Sequence, residues 1–430
     1  MAIVEIDEDS DAGSGRELAL SDALNSLTRA AELLFVNGQT TERTVKAVEG
    51  LAQSLGLVAA AFLQWDDLRI HVSDGGASRL ASLAAAPTAV HMGKVVATMR
   101  AMSEARREGS AASLRSRLEA IEKTPPVSAL RFAVMAAAGA AALAVIFGAG
   151  DLLTLTLVAL SGGSGACLRR AFAKTSANPF VQPFAAALLA GLIGAVVADL
   201  HLGAAMRLVV FCPCMVLVPG PHLLNGTLDL IRARIALGTA RVVYASMVVL
   251  SICAGLLIGL AFGGARLAVS GASSPVPLIY DIPAAGVAVA AYGAFFSMPW
   301  RFLPIPVAVG MLAHAARWLV ISMEGGSAEM GALIACAIVG TAMTPIAHRL
   351  RLPFAALAFA SVVSLIPGVF LFQMADGLVD LAALGAKAPG DLLATIAANG
   401  AAAFMIMLAI TLGVILPKMV IEWRFPMDDG

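Results

Sequence analysis

From Val127 onward the chain is a succession of apolar runs separated by short polar breaks. Ten of them are long enough to cross a bilayer as helices: about 129–149, 152–169, 180–199, 204–230, 236–261, 277–297, 302–322, 329–346, 353–379 and 393–416. In hydrocarbon every backbone polar group must be satisfied inside the protein, so continuous apolar runs of this length specify helices. Charge separates these runs from what precedes them. Residues 1–126 hold 17 Asp/Glu and 13 Lys/Arg, whereas the following 304 residues hold 12 and 16. The near-zero net charge hides a charged unit joined to a membrane unit, and neither balance points to nucleic acid as a partner.

Residues 1–17 are acidic and Gly/Ser-rich, with neither a basic segment nor an apolar core of a signal peptide, and read as a disordered N-terminus. Residues 18–126 read as an α+β domain left in the cytoplasm. Helices are expected over 18–36, 41–55, 88–107 and 111–123, with a hairpin of 57–64 and 68–72 around Trp65-Asp66-Asp67. Pro125-Pro126 closes the domain. Its chemistry-bearing candidates are His71 and His91, which would serve as a base only if this domain were a membrane-anchored hydrolase. No nucleophile or nucleotide motif accompanies them, so the chain is not expected to be an enzyme.

The charges at the breaks set a topology. With the N-terminal domain inside, the inner breaks carry Arg169, Arg170, Lys174, Arg232, Arg234, Arg241, Arg301, Arg349, Arg351, Lys418 and Arg424, and the outer ones only Arg266 and Lys387. This positive-inside bias predicts a multi-pass protein of the inner (cytoplasmic) membrane with both termini inside. Ten spans divide into five (127–262) and five (277–430) around an extracytoplasmic linker, 263–276. An odd number per half makes the second half an inverted repeat of the first. The fold class expected is therefore an α-helical integral membrane protein of ten transmembrane helices in a 5+5 plan.

Helix breakers sit in the fourth run of each half, Pro219-Gly220 and Pro367-Gly368. Pro219 lies 12 residues after Arg207 and 13 before Arg232, and Pro367 lies 16 after Arg351 and 9 before Asp376, which puts both near mid-depth. Matched broken helices of this kind mark binding sites of secondary transporters. His222, Asn225 and Asp229 follow the first break on one helical face, and Gln373 follows the second. The expected substrate-binding set is Pro219, Gly220, His222, Asn225, Asp229, Pro367, Gly368 and Gln373, with the backbone N–H groups after each break as a seat for a carboxylate. Asp229 has a second reading as a partner of Arg232 or Arg234, and His222 could carry a proton. Arg207, His314 and Arg317 are further polar intruders; the last two could gate anions or snorkel to the interface. Ser161 to Ala166 is a stripe of small residues for close helix packing. The five cysteines lie in apolar runs and read as free thiols, and Cys212-Pro213-Cys214 is not a metal pair. No metal or cofactor is expected.

Taken together, Gly162-Gly163 to Leu168-Arg169-Arg170, Asn178-Pro179-Phe180, and Leu217-Val218-Pro219-Gly220 to Asn225-Gly226-Thr227-Leu228-Asp229-Leu230 resemble the threonine/serine exporter (ThrE-like) family. In some members the halves are separate proteins, of the YjjP and YjjB type associated with succinate export. The stretch from Phe295 to Arg301 and Ile366-Pro367-Gly368 resemble the second component, so the two halves look fused here. The resemblance implies export of threonine or serine, or of a small dicarboxylate such as succinate, driven by protons. It supplies no ligand set, and Pro221-His222 departs from the small or aliphatic residues expected after the Pro-Gly. A homo-oligomer is left open.

Overall fold

A computed structural model of the protein describes residues 4–7, 14–111, 113–265, 276–323 and 325–425. The N-terminal part contains α1 (Ser14–Val36), α2 (Thr41–Ser54), α3 (Met92–Glu108), α4 (Leu114–Glu122) and strands β1 (Val4–Asp7), β2 (Val58–Gln64), β3 (Asp67–Ser73) and β4 (Ser78–Leu83). The strands form one antiparallel sheet in the order β1-β4-β3-β2. Alternation decides its faces: Leu68, Ile70 and Val72 of β3 are buried under α1, while Arg69 and His71 point the other way. Two expectations are corrected here. Val4–Asp7, assigned to a disordered N-terminus, pairs with β4 (Val4 opposite Ser82, Asp7 opposite Arg79). The strand β4 itself was not anticipated, because only Ala81 and Leu83 of its six residues are buried and its apolar pattern is faint. Residues 1–3 and 8–13 lie outside the described residues.

The apolar part follows as α5 (Ala129–Ile146), α6 (Leu152–Thr175), α7 (Val181–Asp199), α8 (Gly203–Met215), α9 (Gly220–Ile231), α10 (Ile235–Phe262), α11 (Leu278–Phe295), α12 (Pro304–Met323), α13 (Ala328–Arg349), α14 (Phe354–Val362), α15 (Gly368–Leu384) and α16 (Gly390–Arg424). Among the described residues nine helices are long and apolar enough to span a bilayer, and the bent pair α8–α9 makes a tenth span. Two helices outrun their apolar stretches: α6 continues to Thr175 and α13 to Arg349, because their last turns carry the charges at which an apolar run is cut. Arg241, expected in a polar break, lies inside α10. Most of the linker 263–276 lies outside the described residues.

Small residues set the closest packing. An added Cβ at Gly255 or Gly259 of α10 would stand 2.3 Å from the carbonyl oxygens of Phe184 and Leu188 on α7. Gly340 of α13 meets the carbonyl of Val414 on α16 at 2.5 Å by the same measure. At Gly162, in the Ser161–Ala166 stripe, a Cβ would meet Ala140 of α5 at 2.8 Å. Such contacts let backbones approach where lipid offers no hydrophobic drive for association. The neighbour relations repeat along the chain. In the first half α5 packs on α6, α6 on α7 and α8, α7 on α8 and α10, and α9 on α10. In the second, α11 packs on α12, α12 on α13 and α14, α13 on α14 and α16, and α15 on α16.

Candidate functional site

Both Pro-Gly pairs interrupt their helices. At the first, α8 ends at Met215, Pro219 leaves helical geometry (ψ 56°), and α9 restarts at Gly220 with a bend of 50°. At the second, α14 tightens into a 3-10 turn over Val363–Leu365 before α15 begins at Gly368. The two breaks lock into one another. Phe359 of α14 lies over Gly220, where an added Cβ would sit 1.5 Å from its ring; only glycine admits that approach. Met215 of α8 lies over Gly368, and Phe211 of α8 stacks on Phe372 of α15 at 5.4 Å. The carbonyl of Met215, freed by the break, accepts hydrogen bonds from Val218 N–H and from the hydroxyl of Tyr292 on α11. Irregular backbone is thus satisfied from a neighbouring helix, as membrane depth requires.

This geometry corrects the expected carboxylate seat at the first break. Gly220 N–H donates to Val218 O, while His222 and Leu223 N–H both donate to Pro219 O. Pro221 has no N–H to give. The anion donors come from side chains instead. Beside the first break lies a cavity of about 500 Å³, lined by Leu217, Val218, Pro219, Pro221 and His222, by Arg169 and Arg170 of α6, by Gln182 and Tyr244, by Phe132, Phe295 and Phe296, and by Asn37 and His91 of the N-terminal part. Arg169 stacks on Phe295 (4.4 Å) and Arg170 on Phe132 (4.5 Å), and Arg170 also donates to Val127 O (2.7 Å). Nη1 of Arg169, both ring nitrogens of His222 and Nε2 of His91 are buried with no hydrogen-bond partner among the described residues. Buried polar atoms are normally paired, so unpartnered polar atoms round one cavity make it the candidate site. The described lining holds two arginines, two histidines and no carboxylate.

Of the expected residues, Pro219 and His222 line this cavity, and Gly220 is sealed beneath Phe359. Asn225 and Asp229 face the N-terminal part. Asn225 Nδ2 donates to Gly38 O (3.2 Å), in a turn whose φ of 95° suits glycine. The Asp229 carboxylate, 2 % exposed, accepts from Thr41 (3.0 Å) and pairs with Arg241 (3.2 Å) and Arg234 (3.4 Å). Its reading as an Arg234 partner holds, with Arg241 added. Pro367, Gly368 and Gln373 are not among the cavity's lining residues. Arg169 and His91 were missed as ligand groups; Arg169 read as a topology marker, although its place beside a second arginine at the end of a Gly-rich run was the available signal. His91 caps α3, its Nδ1 accepting Lys94 N–H, and burial with the Lys94 ammonium holds its pKa below the usual histidine value. His71 sits within β3, opposite Ala60 and Leu80. Neither histidine is arranged with a nucleophile.

The N-terminal part is fastened to this end of the bundle at both halves. Glu42 pairs with Arg232, which also pairs with Glu422 (3.1 Å). Arg43 donates to Ala347 O (3.0 Å) and Leu352 O (2.9 Å), and Met92 N–H to Phe296 O (2.9 Å). At the opposite end, His314 does not snorkel: it is buried against Asp281.

No curated protein and no solved structure matches the chain. Two family models do. Residues 25–263 match the threonine/serine exporter model ThrE, and residues 281–420 match ThrE_2, described as "Threonine/Serine exporter, ThrE". The matches run through the N-terminal part, both Pro-Gly breaks and the cavity beside the first, and together they reach from residue 25 to residue 420. This chain belongs to the threonine/serine exporter family.

Proposed function

We propose that the protein is a secondary transporter that exports threonine and serine across the inner membrane in exchange for protons, by alternating access between two inverted five-span repeats. The observation that carries this reading is the cavity at the Pro219 break, to which Arg169 presents an unpaired buried N–H beside the rings of His222 and His91. A substrate carboxylate would complete the Arg169 guanidinium, the ring of Tyr244 suits an ammonium, and Gln182 and Asn37 suit a hydroxyl. The helix neighbours support the repeat, since the main pairings of the first half have counterparts in the second. The first helices of the halves, α5 and α11, run antiparallel, with Phe132 beside Phe295 and Gly139 beside Ala291. That is the relation inversion requires. The N-terminal part docks on the end that carries Arg232 and the 296–298 and 347–352 loops, the end whose basic excess assigns it to the cytoplasm. Loading cells with a threonine-containing dipeptide and following threonine efflux tests the substrate; efflux unchanged on deletion of the protein would rule threonine out.

A second reading rests on one observation. Two arginines without a lining carboxylate give a cationic cavity, which complements a small dicarboxylate such as succinate. Saturable succinate counterflow in proteoliposomes, without threonine counterflow, would replace the first reading by this one.

A further inference from the structure

Far from the cavity, α11 and α12 carry a buried ionisable pair that substrate binding does not use. His314 Nδ1 lies 2.6 Å from Asp281 Oδ2, and the two residues are 1 % and 4 % exposed. Nε2 of His314 is buried without a partner among the described residues. Asp281 stands in the first turn of α11, which begins at Leu278, so the pair is about 5 Å along the helix from its end. Trp318 closes that end by donating to Val276 O (2.7 Å). Ionisable groups within a spanning bundle are costly and are kept for function.

We propose that His314 and Asp281 form the site at which the transporter takes up and releases its coupling proton, a reading that rests on the proposed proton exchange. With the imidazole neutral, Nδ1–H donates to the Asp281 carboxylate and the pair carries one negative charge. A proton arriving at Nε2 leaves an imidazolium against a carboxylate, with no net charge, and departure of that proton restores the first state. The other charged or titratable groups on the surrounding helices are few. Arg317 lies one turn along α12 within Coulombic range of Asp281, and Cys336 and Glu329 come from α13. On α11 itself Tyr280 is exposed; α14 has none, and α5 has only Arg131, at its opposite end. Each cycle therefore changes the net charge buried between α11 and α12, an electrostatic difference that can bias two packings of these helices. The same α11 reaches the first break. Tyr292, 11 residues or about 16 Å beyond Asp281, donates to Met215 O. One continuous helix thus joins the proton site to the backbone beside the substrate cavity.

The test uses the full-length protein in lipid nanodiscs and in proteoliposomes. In nanodiscs, ¹⁵N spectra of labelled histidine are followed against pH, with the His314 resonance assigned by its loss in His314→Gln. The expected result is reversible uptake of one proton by that ring as pH is lowered, with a midpoint that differs between the unmodified protein and Asp281→Asn. A resonance that does not titrate, or titrates alike in both proteins, overturns the proposal. In proteoliposomes, Asp281→Asn and His314→Gln should keep threonine counterflow at equal pH within about twofold while losing about tenfold or more of efflux driven by a pH gradient. Retention of gradient-driven efflux by both variants also overturns it. Absence of threonine counterflow in the unmodified protein would instead count against the substrate reading, and the nanodisc titration decides the proton site without any substrate.

Discussion

At the scale of single residues, charge placement separates binding from assembly. Arg169 and Asp229 lie on neighbouring parts of one half, but the arginine has an unpaired nitrogen at a cavity and the aspartate has three partners. Replacing Arg169 by Gln removes a charged donor, worth about 1.5–3 kcal/mol. The half-saturation constant for threonine should rise roughly tenfold to a hundredfold, with thermal stability little changed. Asp229→Ala leaves Arg241, 1 % exposed, as an uncompensated buried cation. It should cost about 3–5 kcal/mol, read as a lowered unfolding midpoint, and expose the α2 docking surface to protease. His91 gives a pH prediction. Its pKa is lower folded than unfolded, so the pair of states differs only when the unfolded chain protonates first. Stability is unaffected above about pH 6.5 and falls as pH drops below it. His91→Asn keeps a cap acceptor for Lys94 N–H without the titration, and thermal unfolding between about pH 5 and 7 should then be flatter.

At the scale of elements, the two broken helices depend on each other. Gly220→Leu drives a side chain into the Phe359 ring and should abolish transport or folding, whereas Gly220→Ala with Phe359→Ala should recover counterflow relative to Gly220→Ala alone. Measuring counterflow for the single and double variants checks this; equal loss in both would mean that the clash is not the cause. The breaks were legible in the sequence because proline and glycine act locally, and apolar length gave ten spans for the same reason. Their mutual packing was not legible, since Phe359 and Met215 look like any apolar residues of a span until the halves are folded together. Asn225 and Asp229 illustrate the same limit. Their spacing put them on one helical face, but which neighbour that face meets is set by α1, α2 and the turn at Gly38, about 190 residues earlier in the chain. Strand β4 escaped detection because a sheet edge of mixed polarity carries little periodicity.

At the scale of the whole molecule, the N-terminal part closes the end of the bundle where the cavity lies and reaches both halves. Glu42 meets Arg232 of the first half while Arg43 holds carbonyls of the second, one residue apart on α2. In the proposed transport cycle, rocking of one half against the other would strain one of these two contacts. The composition of the cavity follows from this arrangement: its arginines come from α6 and its histidines from α9 and the N-cap of α3, so no single segment of sequence displays it. The central claim is that a small polar amino acid occupies this cavity during transport. The most direct measurement is counterflow of radiolabelled threonine in proteoliposomes containing the purified protein, unmodified or with Arg169→Gln. The account predicts saturable exchange by the unmodified protein, inhibited by serine, with a half-saturation constant at least about tenfold higher in the variant. Exchange that is absent from the unmodified protein, or indifferent to Arg169, would contradict it.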